Sequence, residues 1–565
     1  MKDGQALLWI YINSKKHLFR MIILIVGNSA FAMCGVVFAL VCRSIIDAVS
    51  KGDKRSFILY CLLLLSVIIF QFALRILCQN LSIMIQAKLE MEYKSKLFGD
   101  ILRKEYTHVS EFHSGELLNR LTGDISIISQ GITSVLADTA SIATKLIGAF
   151  VVLFGFDPVF ALAFPVSGFL VFFTTSIFRK KLKDLHKTMQ EKDGKVRSFL
   201  QEMIENNIVI NIFGVENKIS NKAAQLQLDH YEAKLKKNRF SIFANSGLSL
   251  VFSLGYIYAL IWGSIGLFNK TISFGTLTAV LQLVGQVQSP FAGLSGIIPK
   301  IYGVYASIER LIEIEDLPED TKVGEQAIDT TAIYSNMQYI EFDNVSFSYN
   351  SATVFNHVKL KIEKGDFAVI SGISGIGKST LLKLLLGVYI PNDGAIFIEI
   401  NNRKQIPINR STRKLFSYVP QNNLLLSGTI RDNITFVNSE ANEDEIDSAL
   451  KLSCADQFIS ELPEGLETLI GENGFGLSEG QIQRIAIARA LLTKAPILLL
   501  DESTSALDSE VEIKLLKNIK TLTDKTCIFV SHKDSTAEIC NKEIRIENAT
   551  IQSYERKRTI EPCSI

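Results

Sequence analysis

Apolar residues gather in the first 300 positions of this chain in long, nearly unbroken runs. Met21–Val41 carries only Asn28 and Ser29 as clearly polar members, and Phe57–Leu74, Val159–Phe178 and Leu248–Phe268 are similar, each 18–21 residues long. At about 1.5 Å rise per residue, some twenty residues cross the ~30 Å hydrocarbon core of a bilayer as a helix. Two further runs are interrupted by polar groups. Val135–Phe156 carries Lys145, and Phe274–Ile298 carries Gln282, Gln286, Gln288 and Pro290. Together these runs predict six membrane-spanning helices. From Gln86 to about Gly131, and from Phe178 to about Phe240, the chain turns polar but keeps a helical period. That pattern predicts spanning helices prolonged well beyond the membrane, each interrupted by a short element.

The period changes further along. Residues 313–338 are charged and without strong periodicity, and read as a linker. Ile340–Tyr349 then alternates like a strand, and Phe367–Ser371 reads as a buried strand. Beyond it, strand and helix patterns alternate, which predicts an α/β domain. The expected division is a membrane domain over 1–312, a linker over 313–338 and a cytosolic domain over 339–565.

Composition agrees with this division. The chain has 565 residues, too many for one domain, and is 48% hydrophobic with a mean hydropathy of +0.24. A net charge of +1 leaves no basic footprint for nucleic acid, so none is expected as a partner. Eight cysteines without a C-x-x-C pair or regular spacing argue against a zinc site or a disulfide framework.

Chemistry enters at residues 372–380. Gly372, Ile373, Ser374, Gly375, Ile376, Gly377, Lys378, Ser379 and Thr380 form a glycine-rich loop between a strand and a helix. The glycines let backbone N–H groups point at phosphate oxygens, Lys378 adds a positive charge, and Ser379 can ligate Mg²⁺. Such a loop binds a nucleoside triphosphate. Leu477, Ser478, Glu479, Gly480 and Gln481, followed by Ile497–Leu500, Asp501 and Glu502, are far more restrictive. This order resembles the ABC (ATP-binding cassette) ATPases, in which ATP lies between the P-loop of one cassette and the signature of another. Glu479 stands where a glycine is commoner.

The resemblance implies a role for each further position. Tyr349 is similar to the aromatic that stacks on adenine. Gln421 resembles the Q-loop glutamine that touches Mg²⁺ or the attacking water. Asp501, ending an apolar strand, matches the carboxylate that holds Mg²⁺ partly through water. Glu502 matches the general base that polarises the attacking water. Ser505, Ala506, Leu507 and Asp508 resemble the D-loop, and His532 the switch histidine on the γ-phosphate. In the first half, Phe112–Asp124 and Gln201–Gly214 resemble the coupling helices of type IV ABC transporters, the exporter fold. The whole chain thus resembles a half-transporter: six transmembrane helices with long cytosolic extensions, then an α/β P-loop NTPase domain with antiparallel β and helical subdomains.

The resemblance also implies a dimer, since a composite site needs two cassettes. Every element is present in this one chain, so a homodimer is the economical expectation, with a heterodimer the alternative. An ATPase facing cytosolic ATP puts the N-terminus inside. Arg179, Lys180, Lys181, Lys183, Lys187, Lys192, Lys195 and Arg197 between spans four and five fit the positive-inside rule. Arg43, Lys51, Lys54 and Arg55, in the first outer loop, fit it poorly. The expected location is the bacterial plasma membrane, as a multi-pass protein in contact with lipid. Intramembrane polar residues are default candidates for a substrate path: Asn28, Arg75, Gln79, Lys145, Gln282, Gln286 and Gln288. The expected activity is ATP- and Mg²⁺-dependent export of a small molecule, a lipid or an already processed peptide. An importer built on the same fold is the alternative, and soluble ABC factors are excluded by the hydropathy of the first half.

Overall fold

The computed structural model describes residues 3–320, 329–349, 352–422, 425–471, 474 and 476–555. Most side chains of Val159–Phe178, with those of Arg179, Lys180, Lys183, Gln288 and Pro290, lie outside those described. The chain divides into two units, one of residues 1–100 and 114–315 and one of residues 101–113 and 316–565.

The first unit is entirely helical. A short helix α1 (Asp3–Ser14) precedes α2 (Leu18–Ser50) and α3 (Lys54–Ile101). Residues 101–113, with the single-turn helix α4 (Tyr106–Val109), belong to the second unit. The chain returns through α5 (Ser114–Asn119) and a π-helical turn at Arg120–Asp124 into α6 (Ile125–Phe156). Then follow α7 (Pro158–Glu205), the short α8 (Asn207–Phe213), α9 (Glu216–Phe268) and α10 (Phe274–Glu315). Forty-eight residues of α3 span about 72 Å, more than twice the hydrocarbon thickness, so the helix extends beyond any bilayer it crosses. Among the described residues, four helical stretches are long and apolar enough to cross a membrane: Gly4–Ser50, Lys54–Ile101, Ser114–Phe156 and Ser249–Phe268. Their apolar side chains face outward, as Leu59, Leu62, Phe72 and Leu77 do on α3. A water-soluble protein would bury such residues.

Lipid tails are as apolar as leucine, so helix association here rests on close packing of small residues. Helices α2, α6 and α10 pack together in that way, and α7 pairs with α9. Ala39, Ala149, Ala161 and Ala259 are buried between helices with Val36, Leu153 and Leu283. A Cβ at Gly131 would meet Val304 Cγ2 at 2.1 Å. At one end of this bundle polar groups take over. Arg310 Nε donates to Asp124 Oδ2 at 2.7 Å, Ser307 Oγ to Asp124 Oδ1 at 2.9 Å, and Arg120 Nη2 to Glu116 Oε1 at 2.6 Å. Asp124 and Arg120 are both buried, so the charges lie where only paired groups are tolerated.

Beyond residue 315 the second unit continues with α11 (Thr330–Asn336), inside the stretch expected as a linker. Its Tyr334 is buried and its hydroxyl shares a hydrogen bond with Thr526 Oγ1 at 3.0 Å. Three strands follow, β1 (Met337–Tyr349), β2 (Ala352–Glu363) and β3 (Phe367–Ser371), then α12 (Lys378–Leu385). Next come β4 (Asp393–Ile400), β5 (Lys404–Pro407), β6 (Phe416–Val419) and β7 (Gly428–Thr429). A helical stretch holds α13 (Ile430–Thr435), α14 (Glu443–Leu452) and α15 (Asp456–Glu461), with β8 (Leu469–Ile470) pairing with β7. The chain closes with α16 (Glu479–Leu492), β9 (Ile497–Asp501), α17 (Ser509–Lys520), β10 (Thr526–Val530), α18 (Asp534–Ile539), β11 (Lys542–Glu547) and β12 (Thr550–Glu555).

These strands build an antiparallel sheet of order β2-β1-β4-β5 and a six-stranded sheet of order β12-β11-β3-β10-β9-β6. Within the larger sheet β6, β9, β10, β3 and β11 run parallel. Strands β9 and β10 are buried along their whole length, as unbroken apolar runs demand of a sheet covered on both faces. One core joins the antiparallel sheet to α12 and the larger sheet, and a second lies under α13–α17.

Candidate functional site

Parallel strands carry their ligands in the crevice beyond their carboxyl ends. Four adjacent strands end there together. The loop from Gly372 leaves β3, Gln421 lies two residues past β6, Asp501 and Glu502 close β9, and His532 lies two residues past β10. Positions up to 160 apart in sequence converge because β6, β9, β10 and β3 are neighbours in one sheet.

Gly377 stands at φ +113°, and a Cβ there would meet Val354 Cγ1 at 2.5 Å, so only glycine fits the turn into α12. The loop side chains Ile373 and Ser374 stand exposed, while Lys378 is 5% exposed. Its ammonium donates to Gly372 O at 2.9 Å, to Ile373 O at 3.2 Å and to His532 Nε2 at 2.8 Å. A lysine ammonium has no acceptor, so His532 accepts at Nε2. Glu502 Oε1 lies 3.9 Å from Lys378 Nζ and 3.8 Å from His532 Nε2, and its Oε2 accepts from Gln421 Nε2 at 2.8 Å. Four polar groups thus satisfy one another around the mouth of the loop. Glu502 adopts φ +51°, a left-handed backbone uncommon outside glycine and asparagine, anchored by its N–H to Val530 O at 3.1 Å.

Asp501 is 1% exposed. Its Oδ1 accepts from Ser379 Oγ at 3.2 Å and its Oδ2 from Tyr418 OH at 3.2 Å. Burial pushes its carboxyl above the usual range, against the lowering effect of those two donors. Burial beside Asp501 likewise pushes the Tyr418 phenol far up, so Tyr418 stays a donor. A hydroxyl next to a carboxylate is the all-oxygen donor pair that suits a hard dication such as Mg²⁺. Tyr349 is half exposed at the end of β1, its hydroxyl sharing a hydrogen bond with Thr380 Oγ1 at 3.0 Å. Its ring meets Tyr389 edge-on at 5.5 Å and Phe347 at 5.0 Å, leaving an aromatic face beside the loop.

Leu477, Ser478, Glu479, Gly480 and Gln481 surround the start of α16. Ser478 caps it: its Oγ accepts from Gln481 N at 3.3 Å while its N–H donates to Gln481 Oε1 at 2.8 Å. Glu479 points to solvent, so its substitution for glycine meets no steric barrier. A Cβ at Gly480 would come within 2.9 Å of Ala506 O, the backbone of the loop Ser505–Asp508. Gln483, buried at 1%, accepts from Ala506 N and donates to Ser505 Oγ, both at 3.2 Å. Sequence reasoning assigned no role to Gln483, Tyr418 or Tyr389. All three act across strands or loops, and no local pattern marks them.

The membrane candidates separate. Lys145 and Gln286 line one cavity of ≈ 380 Å³ together with Gln71. Asn28 bonds its own helix at Leu24 O, and Arg75 and Gln79 are exposed. Gln282, off the cavity, has a buried Oε1 without a partner among the described residues.

Fold and site together define a P-loop ATPase fused to a helical membrane domain. The family model of the ABC transporter transmembrane region matches residues 21–291, and that described as ABC transporter matches residues 355–505. The chain belongs to the ABC transporters. It is 30% identical over 549 residues to an export ATP-binding/permease protein of Rickettsia bellii, covering 95% of this chain and 93% of the relative. It is 28% identical over 478 residues to the ATP-dependent lipid A-core flippase of Salmonella typhimurium, covering 83% and 80%. Among solved structures, a bacterial Atm1-family ABC exporter with ATP bound matches with a TM-score of 0.81 at 22% identity, covering 96% of this chain and 95% of that one. The protein is a multi-pass membrane protein of the exporter type that binds and hydrolyses ATP.

Proposed function

We propose that two copies of this chain bind two ATP molecules with Mg²⁺ between their cassettes and use the hydrolysis to export an amphiphilic solute across a bacterial plasma membrane. The observation that carries the proposal is the convergence of Lys378, Gln421, Glu502 and His532 at one sheet edge, with Glu502 held in a strained backbone. In this reading the loop N–H groups and Lys378 hold the phosphates, and Tyr349 offers its ring to adenine. Ser379 and Asp501 would hold Mg²⁺, which would neutralise charge developing on the phosphates. Glu502 orients the attacking water and takes its proton, while Gln421 and His532 fix the carboxylate and the γ-phosphate. Ser478 and Gly480 of the second copy close the site from the other side. They stand at a helix N-terminus, where N–H groups favour an anion.

ATP drives the cycle through its differential affinity for closed and open dimers, and substrate binding is coupled reciprocally to that equilibrium. Purified alone into lipid nanodiscs, the chain is expected to run as a dimer and to hydrolyse ATP only with Mg²⁺. A monomeric or inactive preparation that a second co-expressed chain restores would replace the homodimer with a heterodimer.

A further inference from the structure

Several charged side chains of the helical unit have partners. Arg43 lies 3.5 Å from Asp47, Lys300 lies 3.8 Å from Asp138, and Asp157 accepts from Trp262 Nε1 at 3.0 Å. Lys145 has no carboxylate and no hydrogen-bond acceptor among the described residues. It sits eleven residues before the end of α6, about 16 Å along the helix, too deep for its ammonium to reach the outer interface. An unpaired cation at such depth is costly, and one facing a cavity marks a ligand path by default.

The cavity supplies what the cation lacks. Beside Lys145 it presents Gln71 and Ser141, neither bonded to another described residue, and its apolar wall includes Phe31 and Phe38. Gln286, on α10, donates from Nε2 to Gly35 O at 3.0 Å, while its buried Oε1 accepts from nothing described. Among the described residues no acidic side chain lines the space. Its ≈ 380 Å³ is at the small end for ligand pockets, room for a headgroup but not for a long acyl chain as well.

We infer that this cavity is a binding site for one anionic group carrying a nearby N–H or O–H donor, such as the carboxylate head of an acylated amino acid. The inference rests on the export reading and names the chemistry of what is carried. Lys145 supplies the counter-charge, Ser141 and the Gln71 amide N–H the further donors, and the Gln71 carbonyl the acceptor for the ligand's own N–H. The phenylalanine wall takes the first methylenes of a tail. A cation is rejected because it would face Lys145 with no carboxylate to receive it.

The test uses the full chain in phosphatidylcholine nanodiscs and measures equilibrium binding of N-lauroylglycine, its neutral amide N-lauroylglycinamide, lauroylcholine and the tailless N-acetylglycine. N-Lauroylglycine is expected to bind at least tenfold tighter than the amide. Lys145→Gln should abolish that preference, a loss of about 10- to 100-fold for a charge-assisted contact, and Lys145→Arg should keep most of it. Competition by N-acetylglycine at similar concentration would mark a free anion as the natural source, and its failure to compete would mark a lipid-borne head. Both support the site. Equal binding of acid and amide by the unsubstituted protein, or tighter binding of lauroylcholine, would overturn the inference whether or not the variants fold. So would an undiminished preference in folded Lys145→Gln. Mg²⁺-dependent ATP hydrolysis by the same nanodiscs separates the two levels. Its persistence without an anion preference removes this site and leaves the transporter reading standing.

Discussion

Glu502→Gln isolates the proton-accepting role from the binding role of the same side chain. The carboxamide is isosteric and can keep a contact with Gln421, now 2.8 Å from Glu502 Oε2, but it cannot accept the proton of the attacking water. General-base catalysis contributes about 10²- to 10⁴-fold, or roughly 3–5 kcal/mol of barrier. Binding should move the other way. Glu502 Oε1 lies 3.9 Å from Lys378 Nζ, an attraction of ~4 kcal/mol at an effective dielectric of 20, and less where solvent reaches the carboxylate. The nucleotide must compete with that pair for Lys378, and its phosphates meet the carboxylate's repulsion. Removing the charge therefore leaves ATP affinity unchanged or raises it, while turnover falls at least a hundredfold. Steady-state phosphate release and equilibrium binding of a fluorescent ATP analogue, both in nanodiscs, check the two halves. Turnover within tenfold of the unsubstituted protein would refute the base assignment, and affinity weakened tenfold or more would refute the electrostatic argument.

Three other substitutions probe neighbouring parts of the site. Lys378→Ala should weaken ATP binding by about 10- to 100-fold in the same assay, because it removes the buried charge facing the phosphates. Gly480→Ala should lower hydrolysis at least tenfold while ATP affinity measured on the P-loop side stays within threefold. The new methyl collides with Ala506 O at 2.9 Å, and backbone there has no free rotamer with which to yield. Tyr418→Phe removes the donor to Asp501 Oδ2, about 1 kcal/mol, so half-maximal hydrolysis should require about fivefold more Mg²⁺. An unchanged Mg²⁺ titration would show that Ser379 alone orients Asp501.

Some of this protein is legible in its sequence because the physics there is local. A run such as Met21–Val41 is apolar all round, and only a lipid-facing or deeply buried helix tolerates that. The loop Gly372–Thr380 is equally explicit, since its chemistry is that of consecutive backbone N–H groups and needs glycine at fixed offsets. The short helices α5 and α8 fall inside Phe112–Asp124 and Gln201–Gly214, the segments marked out by their resemblance to coupling helices, and α8 ends at Gly214 with φ +60°, the left-handed cap that glycine permits. The helix α11 left no such mark, because seven residues make too little pattern and its anchor, Thr526, lies far along the chain.

What only the tertiary structure decided is which polar groups face one another. Strand order β3-β10-β9-β6 is not written in any one segment, yet it brings Lys378, His532, Glu502 and Gln421 within bonding distance and turns Tyr418 onto Asp501. In the membrane half the sequence offered seven polar candidates of equal standing. Helix rotation separated them, turning Lys145 and Gln286 onto one cavity, beside Gln71, which was not among the seven, while Asn28 folded back on its own helix and Arg75 faced outward. Hydropathy records how much of a helix is apolar. The direction in which a single charge points is set by close packing of small residues against neighbouring helices, and that belongs to the fold.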